Sequence, residues 1–101
     1  MTRGTTPTIT VTVPQSVDLT LATNVYATMK QNGFTLCKSG DVLTLTAHSC
    51  SFTLTQAESL RFVANTDAEI QLNWTYDNGL RGSIYILTLP VYDNLEGRVL
   101  A

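Results

Sequence analysis

DAEIQLNWTYDNGLRGSIYILTLPV, residues 67–91, is the stretch that decides the fold. It contains two runs of β-type residues separated by Asp-Asn-Gly, and this pattern is the sequence signal of a β-hairpin. Pro90 lacks a backbone donor, so its end of the second strand is expected at a sheet edge or at the strand's finish. The rest of the chain is predicted to be organised around this hairpin.

The turn of the hairpin can be read in two registers, and the register determines which side chains face the core. A two-residue type I′ turn at Asn-Gly places Trp74 opposite Ser83. A three-residue loop over Asp-Asn-Gly, with its glycine left-handed in a bulge, places Trp74 opposite Gly82 and Ile70 opposite Ile86. The second register is preferred because each face of the hairpin then has a consistent polarity.

Alternation of apolar residues with threonine and other polar residues predicts further strands. Residues 8–13 form a first strand, residues 24–31 and 34–38 form a hairpin across another Asn-Gly turn, and residues 42–47 add a third antiparallel strand to it. A short strand follows at residues 50–54. The apolar side chains expected to face the core of these strands are Ile9, Val11, Val13, Val25, Ala27, Met29, Leu43, Leu45, Phe52 and Leu54.

One helical turn is predicted between the strands. Residues 55–58, Thr-Gln-Ala-Glu, fit the capping box, in which the threonine hydroxyl and the glutamate each accept a hydrogen bond from the other residue's backbone amide. The turn is expected near residues 56–61, with Leu60 and Phe62 packed beneath it. The two leucines of residues 17–22 are expected to plug one end of the core.

Short strands at spacings of about 8 to 12 residues favour an all-β fold, an antiparallel two-sheet β-sandwich of about seven strands. A small barrel is the second architecture. Residues 1–6 lack periodicity and are expected to form a flexible N-terminal arm. Residues 7–92 form the single domain, and residues 93–101 form a C-terminal tail whose apolar residues suit a weak extra strand or an interface with another subunit.

Composition and charge exclude several classes of protein. Only 14% of the 101 residues are charged, the formal net charge is −2, and the six basic residues are scattered, so no basic stripe is available for nucleic acid. No apolar run approaches the roughly 18 residues of a membrane span. No signal peptide is recognised near the start, so synthesis in a cytosol is expected.

The residues that could carry chemistry are few. His48 is the single histidine and stands two residues before Cys50, so the two side chains could share a strand face as a nucleophile and its base. The preferred interpretation is that His48 is a loop residue and that Cys50 is a small buried residue. Cys37 is the only other cysteine, so a structural zinc site would need carboxylate ligands as well. Two free thiols are favoured over a disulfide bond between the two cysteines. No catalytic, metal or cofactor residue is assigned.

Aromatic residues on the main hairpin allow a carbohydrate-binding hypothesis. Trp74, Tyr76 and Tyr85 could form a platform on which a sugar ring stacks. Trp74 is nevertheless in phase with Ile70 and Leu72, so a tryptophan in the core is preferred.

Three segments resemble small β-sandwich proteins encoded by tailed bacteriophages and prophages of Gram-positive bacteria. They are residues 13–20 (VPQSVDLT), residues 54–60 (LTQAESL) and residues 70–81 (IQLNWTYDNGLR), together with the strand that ends in Lys30-Gln31. A well-described module of this kind is the N-terminal domain of siphophage baseplate upper proteins, whose order of an Asp-Leu-Thr strand, a hairpin, a Leu-Thr-x-x-Glu turn and a final hairpin is similar across residues 9–91.

The resemblance implies a virion protein made in the host bacterial cytoplasm, without an enzymatic role. Because the baseplate module usually continues into a stalk, a free-standing tail, baseplate or neck accessory subunit is expected here. Its partners would be other virion proteins and itself, in a homo-oligomer, with no nucleic acid, membrane or cofactor. The residues expected at its interface are Arg81, Tyr85, Leu95, Val99 and Leu100. The alternatives are a phage-encoded inhibitor of a bacterial defence protein and a carbohydrate-binding module.

Overall fold

The computed structural model describes residues 1–94, which fold into eight strands in two antiparallel sheets. This confirms the predicted all-β sandwich. The strands are β1 Thr8–Thr12, β2 Asn24–Gln31, β3 Phe34–Ser39, β4 Thr44–Leu45, β5 Ser49–Thr53, β6 Ala68–Thr75, β7 Arg81–Ser83 and β8 Leu87–Leu89, with 3₁₀ turns at Leu19–Leu21 and Gly40–Val42 and a short helix, α1, at Gln56–Leu60.

The smaller sheet has the order β1-β5-β4, and the larger has β3-β2-β6, with β7 and β8 both paired to the far side of β6. The most deeply embedded strands are β2 and β6. Every second residue of each is buried, because one face of the sheet covers the core. The buried pairs across the two strands are Val25 with Trp74, Ala27 with Leu72, and Met29 with Ile70.

The expectation that residues 42–47 extend the β2–β3 hairpin is wrong. β4 is only Thr44–Leu45 and pairs with β5 in the other sheet. The 3₁₀ turn Gly40–Val42, entered through a left-handed Gly40 with φ of 70°, carries the chain across from one sheet to the other. Leu43 is buried as expected, but Leu45 is exposed because it lies on an outer edge of the smaller sheet.

The leucines of the first 3₁₀ turn have different environments. Leu19 is fully buried, whereas Leu21 is 70% exposed. A 3₁₀ helix has three residues per turn, so residues two apart point in different directions and only one can enter the core. The prediction that both plug the end of the sandwich is therefore correct for Leu19 alone.

The predicted capping box is present at the start of α1. The Thr55 hydroxyl accepts from the Glu58 amide at 3.1 Å, and Glu58 accepts from the Thr55 amide at 2.9 Å. Glu58 also receives Lys38 of β3, whose Nζ lies 2.8 Å and 2.7 Å from the two carboxylate oxygens. Phe62, just beyond the helix, is buried as expected and meets Phe34 edge to face. These contacts fix α1 across one end of the sandwich.

Residues 1–6, for which a loose arm was expected, are bound to the same end. The Arg3 guanidinium donates to the carbonyl of Leu60, the last residue of α1, at 2.9 Å and to the carbonyl of Phe62, just beyond the helix, at 2.6 Å. The carbonyls at the end of a helix lack partners within the helix, and Arg3 supplies one here. Thr2 forms a parallel bridge with Tyr92. The N-terminal residues therefore join the helix to the last described residues of the chain.

The preferred register of the main hairpin is confirmed near its turn. Trp74 pairs with Gly82, Asn73 with Ser83 and Thr75 with Arg81. Gly79 is left-handed at φ of 82° and closes the three-residue loop by donating its amide to the Tyr76 carbonyl at 3.0 Å.

Replacing Gly82 with alanine is expected to destabilise the protein. A Cβ at this position would overlap the Nε1, Cε2 and Cζ2 atoms of the Trp74 indole, so either the ring or the strand must move. The cost of such overpacking is about 1–3 kcal/mol, measured as the free energy of unfolding in urea. Ser83→Ala, on the neighbouring exposed residue, is the control and should change that free energy by less than about 0.5 kcal/mol. Equal stability of the two variants would contradict the packing described here.

The Lys38–Glu58 pair predicts a pH dependence of stability. Partial burial alone would raise the pKa of Glu58, but hydrogen bonds from Lys38 and the Thr55 amide outweigh it and hold the pKa below its ordinary value of 4.5. As the pH falls, Glu58 is therefore protonated in the unfolded chain before it is protonated in the folded protein. The contribution of Glu58 to stability is complete above its pKa in the unfolded chain, and it is lost as the pH falls through its pKa in the folded protein.

Urea unfolding of the natural protein and Glu58→Gln between about pH 7 and about pH 3 measures this effect. The natural protein should be the more stable at neutral pH, and the difference should shrink in acid. If the difference in stability between the two proteins stays constant over this pH range, the charge of Glu58 does not stabilise the fold.

Candidate docking surface at the bulged sheet edge

The strand that follows the main turn contains a β-bulge. From Ser83 to Leu87 the chain advances four residues, whereas the paired positions on β6, from Asn73 to Ile70, advance only three. One residue is therefore extra on the β7–β8 side, and it lies within residues 84–86. The expected pairing of Ile70 with Ile86 is consequently wrong, because Ile70 pairs with Leu87.

Two hydrogen bonds hold the bulge in place. The Ile84 amide donates to the Leu72 carbonyl at 3.1 Å, which continues the β7 pairing by one residue. The Ile84 carbonyl accepts from the side-chain Nε2 of Gln71 at 2.9 Å. Gln71 thus supplies a donor where the regular ladder is interrupted, and the bulged backbone is not left unsatisfied at this point.

The bulge turns apolar side chains outward. Tyr85 is 90% exposed, Ile86 57% and Leu87 42%, and Leu80, just after the turn, is 63% exposed. We call residues 80–87 the bulged edge. A strand in regular alternation would have kept Ile86 on the inner face with Ile84, which is partly buried against the core. The extra residue instead produces a run of exposed apolar side chains at the margin of the larger sheet.

A groove opens between the bulged edge and the smaller sheet. Its volume is about 740 Å³, and it is lined by residues 12–14, Val17, Trp74, residues 83–85 and Leu87. β1 is the edge of one sheet and β7–β8 the edge of the other, so the groove lies on an open side of the sandwich. We call it the edge groove.

The lining of the edge groove is uncharged and mostly apolar. The nearest cation on the bulged edge is Arg81, an exposed residue whose Nη2 donates to Asn73 Oδ1 at 3.2 Å on the outer face of the sheet. Such a surface offers apolar contacts and the backbone groups of an edge strand, and the described residues that line it include no histidine, cysteine or charged side chain.

Two of the five residues expected at an interface lie on this surface. Arg81 is in β7 and Tyr85 is in the bulge. Leu95, Val99 and Leu100 lie outside the described residues. Ile86 and Leu87 were not among the predicted interface residues, because the predicted strand continued its alternation without a bulge. The signal for the bulge was the unbroken run Ile-Tyr-Ile-Leu at residues 84–87, which a strictly alternating strand does not contain.

The candidate nucleophile and base do not form a catalytic pair. Cys50 is fully buried, and burial raises the pKa of its thiol, which keeps it protonated. His48 Nδ1 lies 2.7 Å from the Val17 carbonyl, so the ring serves to anchor a loop. Both cysteines are free, with Cys37 exposed on β3. Residues 1–94 contain no group of three or more histidine, cysteine or acidic residues placed to hold a metal ion.

The aromatic platform is not formed either. Trp74 is only 3% exposed and belongs to the core, and Tyr76 is partly buried against it, while Tyr85 points outward. A sugar ring needs an accessible ring face, which only Tyr85 of these three side chains provides.

No protein-family model, curated protein or solved structure matches this chain. Among residues 1–94 there is also no helix with the length and hydropathy needed to cross a membrane.

The two cysteines should differ sharply in reactivity. In the native protein, Cys37 should react with a maleimide or iodoacetamide, whereas Cys50 should react only after unfolding, because it is buried and its pKa is raised. Mass spectrometry of the labelled protein counts the modified thiols, and Cys37→Ser is the matched control, which should remain unlabelled when folded. Rapid labelling of Cys50 in the native state would show that the smaller sheet opens readily.

Proposed function

We propose that this protein is a non-enzymatic structural subunit of a tailed bacteriophage that works by docking on other proteins through the bulged edge. The observation that carries the docking role is the group of exposed apolar side chains beside an uncharged groove, at residues where a strand edge is open. Surface patches of this kind on a small soluble domain are typical of protein interaction sites.

The chemistry of the surface supports a protein partner. An edge strand offers unpaired backbone donors and acceptors that an added strand can satisfy, and the groove beside it can receive alternate side chains of that strand. Tyrosine and large aliphatic residues are typical of the central part of protein interfaces, and the bulged edge supplies Tyr85, Ile86 and Leu87 together.

The phage assignment is supported by the resemblance of residues 13–20, 54–60 and 70–81 to baseplate modules. In this proposal the chain is made in the host bacterial cytoplasm and is incorporated into the virion as a tail, baseplate or neck accessory subunit. Its partners are other virion proteins and further copies of itself. The environments of His48 and Cys50, one anchoring a loop and the other buried, support a role without catalysis.

Mass spectrometry of purified phage particles tests the proposal. The chain should be present at a fixed copy number, and Ile86→Lys should reduce its incorporation at least tenfold, because a charge would be buried at the interface without a partner. Ala57→Lys, on an exposed residue of α1 that does not line the edge groove, is the matched control and should be incorporated normally.

Two results would contradict the proposal. Normal incorporation of Ile86→Lys would move the docking surface elsewhere. Absence of the chain from particles, together with recovery of one host protein at equal stoichiometry from infected cells, would establish the inhibitor alternative instead.

A further inference from the structure

We propose that Asn32 is a site of spontaneous covalent modification, at which the side-chain amide is lost and aspartate or isoaspartate replaces the asparagine. The chain contains two Asn-Gly pairs, Asn32-Gly33 and Asn78-Gly79. Both pairs lie in hairpin turns. The reacting groups are free in the first pair and hydrogen-bonded in the second. The proposal is independent of the docking role of the bulged edge.

The reaction needs only the two residues of the pair and water. The deprotonated amide nitrogen of the glycine attacks Cγ of the asparagine, which closes a succinimide ring and breaks the Cγ–Nδ2 bond. The side-chain nitrogen leaves as ammonia, carrying the proton that the glycine amide has lost. Water then opens the ring at either carbonyl and gives aspartate or isoaspartate, whose backbone runs through Cγ. Either product carries a carboxylate that is ionised at neutral pH.

Glycine favours this attack because it has no side chain to hinder ring closure. Apart from adjoining residues, no heavy atom lies within 4 Å of the place where a Cβ would stand on Gly33 or Gly79. Asn65 is also left-handed, at φ of 60°, but Thr66 follows it, and a branched side chain hinders the same attack. Access therefore selects the two Asn-Gly pairs and does not distinguish between them.

At Asn78-Gly79 both reacting groups are held by hydrogen bonds. The Gly79 amide donates to the Tyr76 carbonyl at 3.0 Å, and Asn78 Oδ1 accepts from the Leu80 amide at 3.0 Å. An amide that donates a hydrogen bond is harder to deprotonate, because the acceptor stabilises its proton. The second hydrogen bond fixes the Asn78 side chain in an Asx turn. Attack at this pair therefore requires hydrogen bonds of the turn to break first.

At Asn32-Gly33 neither reacting group is held. Gln31 pairs with Phe34, and φ is 46° at Asn32 and 83° at Gly33, which are the features of a two-residue type I′ turn. Among the described residues, neither the Gly33 amide nor the Asn32 side chain has a hydrogen-bond partner. Both residues are exposed. The attack therefore breaks no hydrogen bond at this turn.

The modification falls on a turn whose flanking residues are fixed. Gln31 is buried, and its Nε2 donates to the carbonyls of Val63 and Thr66 at 2.9 Å each. Isoaspartate at position 32 lengthens the turn by one backbone atom, so Gln31 and Phe34 can no longer both keep their positions in the ladder. The isoaspartate form is therefore expected to be less stable than the natural protein.

Peptide mapping by mass spectrometry, after storage of the folded protein at mildly alkaline pH, tests the assignment. The peptide that contains Asn32 should gain the mass of deamidation with time, several-fold faster than the peptide that contains Asn78. The rate at Asn32 should increase in proportion to hydroxide concentration, because the deprotonated amide is the nucleophile. In protein unfolded by guanidinium chloride, the two sites should react at similar rates, since glycine follows both.

Asn32→Gln is the matched control for this measurement. It should abolish the modification at position 32, because a glutamine must close a larger ring, and it should leave the rate at Asn78 unchanged. Equal rates at the two sites in the folded protein, or a faster reaction at Asn78, would overturn the proposal. An Asn32 that stays intact in the folded protein but reacts in the unfolded chain would also overturn it.

Unfolding in urea measures the consequence for the turn. Anion-exchange chromatography separates the modified protein, which carries an additional negative charge, and fragmentation in the mass spectrometer identifies the isoaspartate form. This form should unfold at a lower urea concentration than Asn32→Asp, which adds the charge without lengthening the turn. Equal unfolding of the two would contradict the proposed effect on the turn, whereas the rates above decide the modification itself.

Discussion

The contact between the Trp74 indole and Gly82 is the constraint on which the edge of this protein depends. Trp74 is the largest side chain of the most embedded strand, and it can lie flat against β7 only because the opposite residue has no Cβ. This packing fixes the register of the main hairpin at its turn end. Every residue of the bulged edge is then positioned relative to that pair.

The bulge arises because β6 pairs with β7 in one register and with β8 in a register shifted by one residue. Near the turn the pairing is fixed by Trp74 and Gly82, while further along Ile70 pairs with Leu87. The extra residue between them relieves the mismatch and exposes Tyr85 and Ile86. Proteins commonly use bulges and charges to prevent edge strands from pairing with other chains. The bulge here differs, because it leaves three large apolar side chains exposed at the edge and no charge among them. The exposure of these apolar side chains therefore follows from the packing of the core.

The opposite end of the sandwich is closed by polar contacts. Gln31, a buried residue at the end of β2, donates to the carbonyls of Val63 and Thr66 and accepts from the Val63 amide, so its amide group is satisfied on both sides. Arg3 and the capped helix complete this end. The two ends of the sandwich therefore differ, since one is closed by these polar contacts and the other carries the edge groove.

The sequence by itself determined the all-β class, the boundaries of β2, the capping box and both hairpin turns, because each depends on residues close together in the chain. Alternation likewise identified most of the core, including Trp74. Only the tertiary structure decided that β4 joins the smaller sheet and that a bulge lies within residues 84–86. It also decided that Ile86 faces outward and that Leu21 lies outside the core. These features depend on how strands that are distant in sequence pack around one core. A local sequence pattern does not contain that information, so it does not show where the packing breaks the regular alternation of a strand.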